Sequence, residues 1–268
     1  LETPVSVMLK LGPERTNGFL LESVEGGETR GRYSILGLDP DLIWRARADT
    51  AEIARLPDLT KFTPCHEGTL SSLRGLIAAS RIDLPDTLPP MAAGLVGYLG
   101  YDTARLIERL SSAKADPLGL PDGLFIRPRI MIVFDSVRNE LTAVTTAFHD
   151  PAVTAASAYS RSSERLAEIL ARLEAPLAHG IHQTAPHDQI EATSNTTPAE
   201  FHAMVARAKE YILAGDIFQV NISQRFETEL TVSPYELYQR LRTINPAPFS
   251  AYLNFDGITV ISASPERF

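Results

Sequence analysis

Thiol chemistry is almost missing from this sequence: among 268 residues there is one cysteine, Cys65. A lone thiol excludes an internal disulfide and thiolate-rich zinc sites. Cys65 and His66 could form half of a metal or nucleophile site, but a loop thiol without a role is the simpler account. Basic runs are scarce too, none longer than Arg45-Ala-Arg47, and the formal charge is −8. Both disfavour nucleic acid and anionic membrane as partners, because each needs clustered Lys or Arg. No apolar stretch approaches the roughly 20 residues that span a bilayer. The first residues show no charged-then-apolar signal pattern, so a cytoplasmic location is expected.

Several catalytic signatures are absent as well. Gly94-Leu-Val-Gly97-Tyr-Leu-Gly100 lacks the Gly-x-Gly-x-x-Gly spacing and has no capped helix directly behind it, which excludes a dinucleotide loop. Glycines that let another element approach a strand fit better. No Gly-x-Ser-x-Gly elbow offers a serine nucleophile. The six histidines, His66, His149, His179, His182, His187 and His202, are scattered. His179, His182 and His187 could take up metal adventitiously, but no carboxylate or thiol pattern supports a site. Carboxylate pairs such as Glu22 with Glu25, or Asp39 with Asp41, read as solvated turns.

What is present is ordinary for a globular protein: 44% hydrophobic and 22% charged residues, in a length that suits one large domain or two ordinary ones. Residues 1–150 are strand-rich. Short runs at 18–23, 32–36 and 42–46 are separated by Gly-Gly and Asp-Pro-Asp punctuation. Leu70, Leu73, Leu76 and Ile77 have helical spacing. A strand is expected over Met91–Asp102, and a hairpin over 126–148 turning at Ser136-Val-Arg-Asn139. Asp150-Pro151 reads as a helix start, with the helix running to about Leu173. Residues 174–196 lack periodicity and read as a linker. Thr197-Pro-Ala-Glu200 is a capping box opening a helix that ends at Gly215. Asp216–Phe226 then alternates, with Gln219, Asn221, Ser223 and Arg225 on a polar face that is either wet or lines a cleft. Ser233-Pro-Tyr-Glu236 is a second capping box.

The last segment reads as a hairpin. Phe249, Ala251, Leu253 and Phe255 alternate, Asp256-Gly257 turns, and Ile258, Val260 and Ser262 return. A fresh strand with no cap leaves an unpaired edge, so the chain is expected to be the front part of something longer.

These segments carry a family resemblance. Leu20-Leu-Glu-Ser23 followed by Gly31-Arg-Tyr-Ser34 resembles the start of the large subunit of anthranilate synthase, and Met91–Asp102 resembles that subunit's Gly-x-x-Gly-Tyr-x-Gly-Tyr-Asp segment. Ala208–Asn221 and Ser264-Pro-Glu266 are similar to the opening of the chorismate-binding domain, which the anthranilate, aminodeoxychorismate, isochorismate and salicylate synthases share. Residues 1–215 are most similar to anthranilate synthase. Gln219–Phe226, Pro248-Phe-Ser-Ala-Tyr252 and Ser264–Phe268 lean toward the aminodeoxychorismate synthase large subunit, the alternative. A different kind of alternative is a non-catalytic tryptophan-binding or partner-docking module.

The resemblance implies an α+β fold of largely antiparallel sheets packed as a sandwich with helices outside. It implies an N-terminal domain over 1–175, a linker over 176–196, and the first part of the chorismate-binding domain over 197–268. The implied activity is conversion of chorismate and ammonia, supplied by a glutamine amidotransferase small subunit, to anthranilate and pyruvate. The family's catalytic and Mg²⁺-binding motifs lie beyond Ser-Pro-Glu, so no residue of this chain is expected to be catalytic or to bind metal. The family's tryptophan inhibitor site maps to Glu22, Ser23, Pro248, Phe249 and Ser250. A hydroxyl and backbone groups could hold the amino-acid end, and a Pro-aromatic turn could form a wall for the indole. Ser23→Ala is accordingly expected to weaken tryptophan binding and leave unliganded stability nearly unchanged. The alternative is that Ser23 satisfies a strand end and Phe249 fills core.

Overall fold

A computed structural model describes residues 2–23, 31–111, 115–177, 191–255 and 257–265. They fall into two compact units, Leu1–Ala178 with Pro234–Phe268, and His179–Ser233.

In chain order, α1 (Pro4–Leu11) opens on a capping box between Thr3 and Ser6. The strands β1 (Gly18–Glu22), β2 (Tyr33–Arg47), β3 (Thr50–Arg55) and β4 (Asp58–Pro64) follow. α2 (Thr69–Ala79) docks through Ser72, whose Oγ accepts the indole N–H of the buried Trp44 at 2.9 Å. Then come β5 (Val96–Leu99), a 3-10 turn (Tyr101–Leu106), β6 (Gly123–Asp135), β7 (Glu140–Thr145) and α3 (Ala155–Glu174). The smaller unit holds β8 (Thr193–Ser194), α4 (Pro198–Ala214) and β9 (Phe226–Glu227). The chain returns to the larger unit with α5 (Pro234–Ile244), β10 (Phe249–Phe255) and β11 (Ile258–Ser264).

The larger unit is organised by two long strands. β2 and β6 pair antiparallel along nearly their whole length, with a register shift between Pro40 and Leu42. On one side of that bulge the order is β11-β10-β1-β2-β6-β7; on the other, β2 and β6 are flanked by β3-β4 and β5. The extra residue lies on β2, where Ile35 and Ile43 both point to the interior, while β6 changes which of its side chains face inward. In β6, Ile130, Ile132 and Phe134 point to the helices α1, α3 and α5, whereas before the bulge Ile126 and Leu124 point to the interior. The two halves fold face to face: Phe19, Ile35, Met131, Val133, Leu253 and Phe255 from one pack with Ile43, Leu124 and Ile126 from the other. Tyr98 on β5 stacks on Phe255 of β10, with ring centroids 6.4 Å apart. This is the expected α+β sandwich with helices outside.

Four local expectations are corrected. Residues 32–36 and 42–46 belong to one strand, because the Asp39-Pro40-Asp41 punctuation forms a bulge rather than a turn. Helix α3 starts four residues after Pro151, where Thr154 Oγ1 accepts the N–H of Ser157 at 3.2 Å, while Asp150 closes a separate turn by accepting the Ala152 N–H. Met91–Asp102 yields only the four residues of β5 before the 3-10 turn. Residues 216–225 form no strand despite their alternation, since period two becomes a strand only beside a partner ladder. Asp256, Glu25, His179, His182, His187 and Glu266 lie outside the described residues. The contact-based units also divide the chain differently from the family-based boundaries at 175 and 197, because β10 and β11 join the sheet of the first unit.

Candidate functional site

The end of β1 meets the start of β10. Their antiparallel register pairs Leu21 with Ala251 and Glu22 with Ser250. Ser23, the next residue, donates its Oγ–H to the Pro248 carbonyl at 2.7 Å, across 225 residues of sequence. Ser250 Oγ donates to the Ala247 carbonyl at 3.3 Å. The five expected residues are therefore neighbours. They do not share one face, however. Glu22 and Ser250 have the parity of Leu20 and Tyr252, which pack under the helices, whereas Phe249 has the parity of Leu253 and Phe255 in the sandwich interior.

Glu22 is 5% exposed, so its carboxylate must be paired. Oε2 accepts from the Tyr238 hydroxyl and, at 2.9 Å, from Arg242 Nε. Both partners lie on α5, at i and i+4, and so share one helix face. Burial first, and then the Glu22 charge, push the Tyr238 phenol far above its ordinary value, which keeps it a donor. Tyr235, Tyr238 and Tyr252 form an aromatic cluster behind this pair, with centroids 5.2 to 6.0 Å apart. The Tyr252 phenol is pushed up to about 12 by burial, with the Glu14 charge adding to it. Its hydroxyl donates to the Pro13 carbonyl at 3.1 Å.

Three site expectations change in detail. Glu22 is not a solvated turn residue but a buried, doubly bonded carboxylate. Ser23 does satisfy a strand end, so its loss removes a structural hydrogen bond even without ligand. Phe249 is 42% exposed and does not fill the core; it stands as an apolar surface beside Pro248. The juncture thus brings together an exposed apolar side chain, a hydroxyl bonded to the Pro248 carbonyl and a buried carboxylate–guanidinium pair where β1 meets β10.

A family described as chorismate binding enzyme matches residues 20–268. The chain belongs to that family. Among its relatives, anthranilate synthase component 1 of Cereibacter sphaeroides is 46% identical over 270 residues, 99% of this chain and 54% of that protein. The protein of that name from Synechocystis is 37% identical over 276 residues, with the same two coverages. The crystal structure of anthranilate synthase component I from Streptococcus pneumoniae has a TM-score of 0.70 and 25% identity, over 88% of this chain and 51% of that one. The chain spans about half the length of the curated relatives it matches.

Within this chorismate-binding family member, sequence reasoning missed Tyr238 and Arg242. A signal did exist: an acidic residue ending an apolar run needs a partner, and an exposed-looking Arg on a helix can supply one. The glycine reading holds best at Gly97, where a Cβ would stand 1.9 Å from the Leu124 carbonyl oxygen on β6. Asp39 and Asp41 are not solvated turn carboxylates but pair with Arg129 and Arg127, at 2.8 and 2.7 Å. Cys65 is half-buried against the Trp44 cluster. Gln219, Asn221 and Ser223 are exposed on irregular chain, so the four polar residues do not line one strand face. Among the described residues, no three His, Cys, Asp or Glu side chains converge as a metal ion requires, and no helix is long and apolar enough to cross a membrane.

Proposed function

We propose that the chain is the N-terminal portion of an anthranilate synthase large subunit, working in the cytoplasm in tryptophan biosynthesis. The parent reaction aminates chorismate with ammonia released from glutamine by a partner amidotransferase and then eliminates pyruvate to leave anthranilate. Mg²⁺, when bound, would neutralise chorismate's carboxylates and assist departure of its hydroxyl. The described residues do not fit a metal, so no step is assigned to them and none is named catalytic. Their part in this reading is regulatory. L-tryptophan, as feedback inhibitor, would lie at the β1–β10 juncture, with Ser23 and backbone groups at its amino-acid end and Pro248-Phe249-Ser250 beside its indole. Glu22 acts from beneath, fixing α5 against β1.

The observation that carries the reading is 46% identity to an anthranilate synthase component 1 along 99% of this chain. A second reading, the aminodeoxychorismate synthase large subunit, is favoured by Gln219–Phe226 and by the small Ser250 in the Pro-aromatic turn. The test is an assay of the purified chain with chorismate, ammonium and Mg²⁺. No turnover is expected, and product above a no-protein control would contradict the assignment of all catalytic groups to other residues. The gene's whole product, assayed alike, should release anthranilate; accumulation of 4-amino-4-deoxychorismate instead would favour the second reading.

A further inference from the structure

A groove of about 740 Å³ opens at the bend of the two long strands, walled by β2, β6, the turn between β3 and β4, and α3; it shares no residue with the β1–β10 juncture. Five arginines line it, Arg55, Arg127, Arg129, Arg161 and Arg165, against the carboxylates of Asp41 and Asp150. In a chain of formal charge −8 this clustering runs against the general surface.

The acids lining the groove and Asp39 beside them are already engaged, and Glu168 also stands close enough to Arg165 to favour its charge. Asp41 takes Arg127 through both oxygens, at 2.8 and 2.7 Å, and the Arg127 guanidinium lies over the Phe148 ring, 3.7 Å from its centroid. Asp39 serves two guanidiniums: Oδ1 accepts from Arg129 Nη2 at 2.8 Å, and Oδ2 lies 3.3 Å from Arg165 Nε. Asp150 Oδ1 accepts a backbone N–H of its own turn. Arg55 and Arg161 make no ion pair among the described residues. Arg165 Nη1 is buried with no hydrogen-bond partner among them. Burial lowers the affinity of Arg55 and Arg165 for their protons, and repulsion from Arg127 and Arg129, respectively, adds to it. A native fold seldom leaves a buried donor without an acceptor, and the exposed Arg55 and Arg161 beside it face the groove without ion-pair partners among the described residues.

We propose that this groove is a binding site for a small, multiply charged anion bearing phosphate groups or paired carboxylates. Guanidinium forks match both geometries bidentately, and a concave site of this size suits a small molecule rather than a flat protein surface. A ligand oxygen would give Arg165 its missing acceptor and would compensate Arg55 and Arg161. The inference stands apart from the anthranilate synthase reading, since it uses only this groove.

The test titrates pyrophosphate and, separately, citrate into the purified chain by calorimetry, with a parallel thermal-unfolding series at ionic strength matched with sodium chloride. Saturable binding with a rise in Tm is expected from at least one of the two, and which one responds tells phosphate from carboxylate recognition. Arg161→Gln and Arg165→Gln should each weaken that binding by about tenfold or more, the loss of one charge-assisted hydrogen bond. Arg161 is exposed and makes no ion pair among the described residues, so its variant keeps the fold. Arg207→Gln, on α4, should bind as wild type does. No saturable effect from either anion, or undiminished binding in both groove variants, would overturn the proposal.

Discussion

Glu22 shows how a single side chain ties the juncture together. A carboxylate this buried survives only with donors on it, and Tyr238 and Arg242 supply them. A hydrogen bond to a charged group is worth about 1.5–3 kcal/mol, so Tyr238→Phe should lower unfolding free energy by about that amount in urea. An unchanged midpoint would mean that Arg242 alone satisfies Glu22. Ser23→Ala should cost about 1 kcal/mol before any ligand is added, because it leaves the Pro248 carbonyl without its donor. Asp135 is a second pinned carboxylate. The Arg32 guanidinium, hydrogen-bonded to both its oxygens, holds it down to about 2, with help from the Arg138 and Val137 N–H groups. Its folded value lies below the ordinary carboxylate value of about 3.9, so its stabilising contribution is fully present above about pH 4 and is lost as pH falls toward 2. Asp135→Asn should therefore flatten the fall in Tm between pH 4 and 2, and a profile parallel to wild type would contradict the pairing. At this scale little of the site was legible, because hydrogen bonds such as that from Ser23 to Pro248 join residues with no local sequence relation.

Elements were far more legible than their partners. Capping boxes at Thr197 and the periodicity of residues 69–79 and 249–264 state their structures locally, and those helices and strands formed where expected. Two failures have physical reasons. At residues 216–225 alternation was present but no neighbouring strand was among the described residues, and at Asp39-Pro40-Asp41 turn chemistry was absorbed by a bulge because β6 continues beside it. Helix α3 began at Ala155, capped by Thr154, the residue whose side chain accepts the N–H three positions on, rather than at the stronger-looking Asp150-Pro151. Thr154→Ala should thus cost about 1 kcal/mol of stability, while Asp150→Ala should leave the helical circular dichroism unchanged. Equal effects would return the helix start to Asp150. Gly97→Ala places a methyl group against a β6 carbonyl, so separation of β5 from β6 is expected, with a loss of about 1–3 kcal/mol or more. Hydrogen exchange at Tyr98 and Leu124 would report it.

On the scale of the whole molecule, the larger unit is closed by strands far apart in sequence: β10 covers β1, and its hairpin partner β11 extends that edge. The sandwich was legible only through the family resemblance, since no local pattern says that residue 250 pairs with residue 22. A chain ended at residue 233 would expose β1 and the Phe19 and Leu20 surface, and should aggregate or lose cooperative unfolding. A monodisperse, cooperatively melting product would contradict that topology. The same long-range pairing brings Glu22 and Ser23 to Pro248, Phe249 and Ser250, and on it rests the claim that the juncture binds tryptophan. Calorimetric titration of L-tryptophan into wild type and Ser23→Ala tests that claim most directly. Saturable binding by wild type, weakened about ten- to a hundredfold in the variant, is expected from the loss of one hydrogen bond to a charged ligand group. Wild-type binding that survives Ser23→Ala undiminished would contradict it.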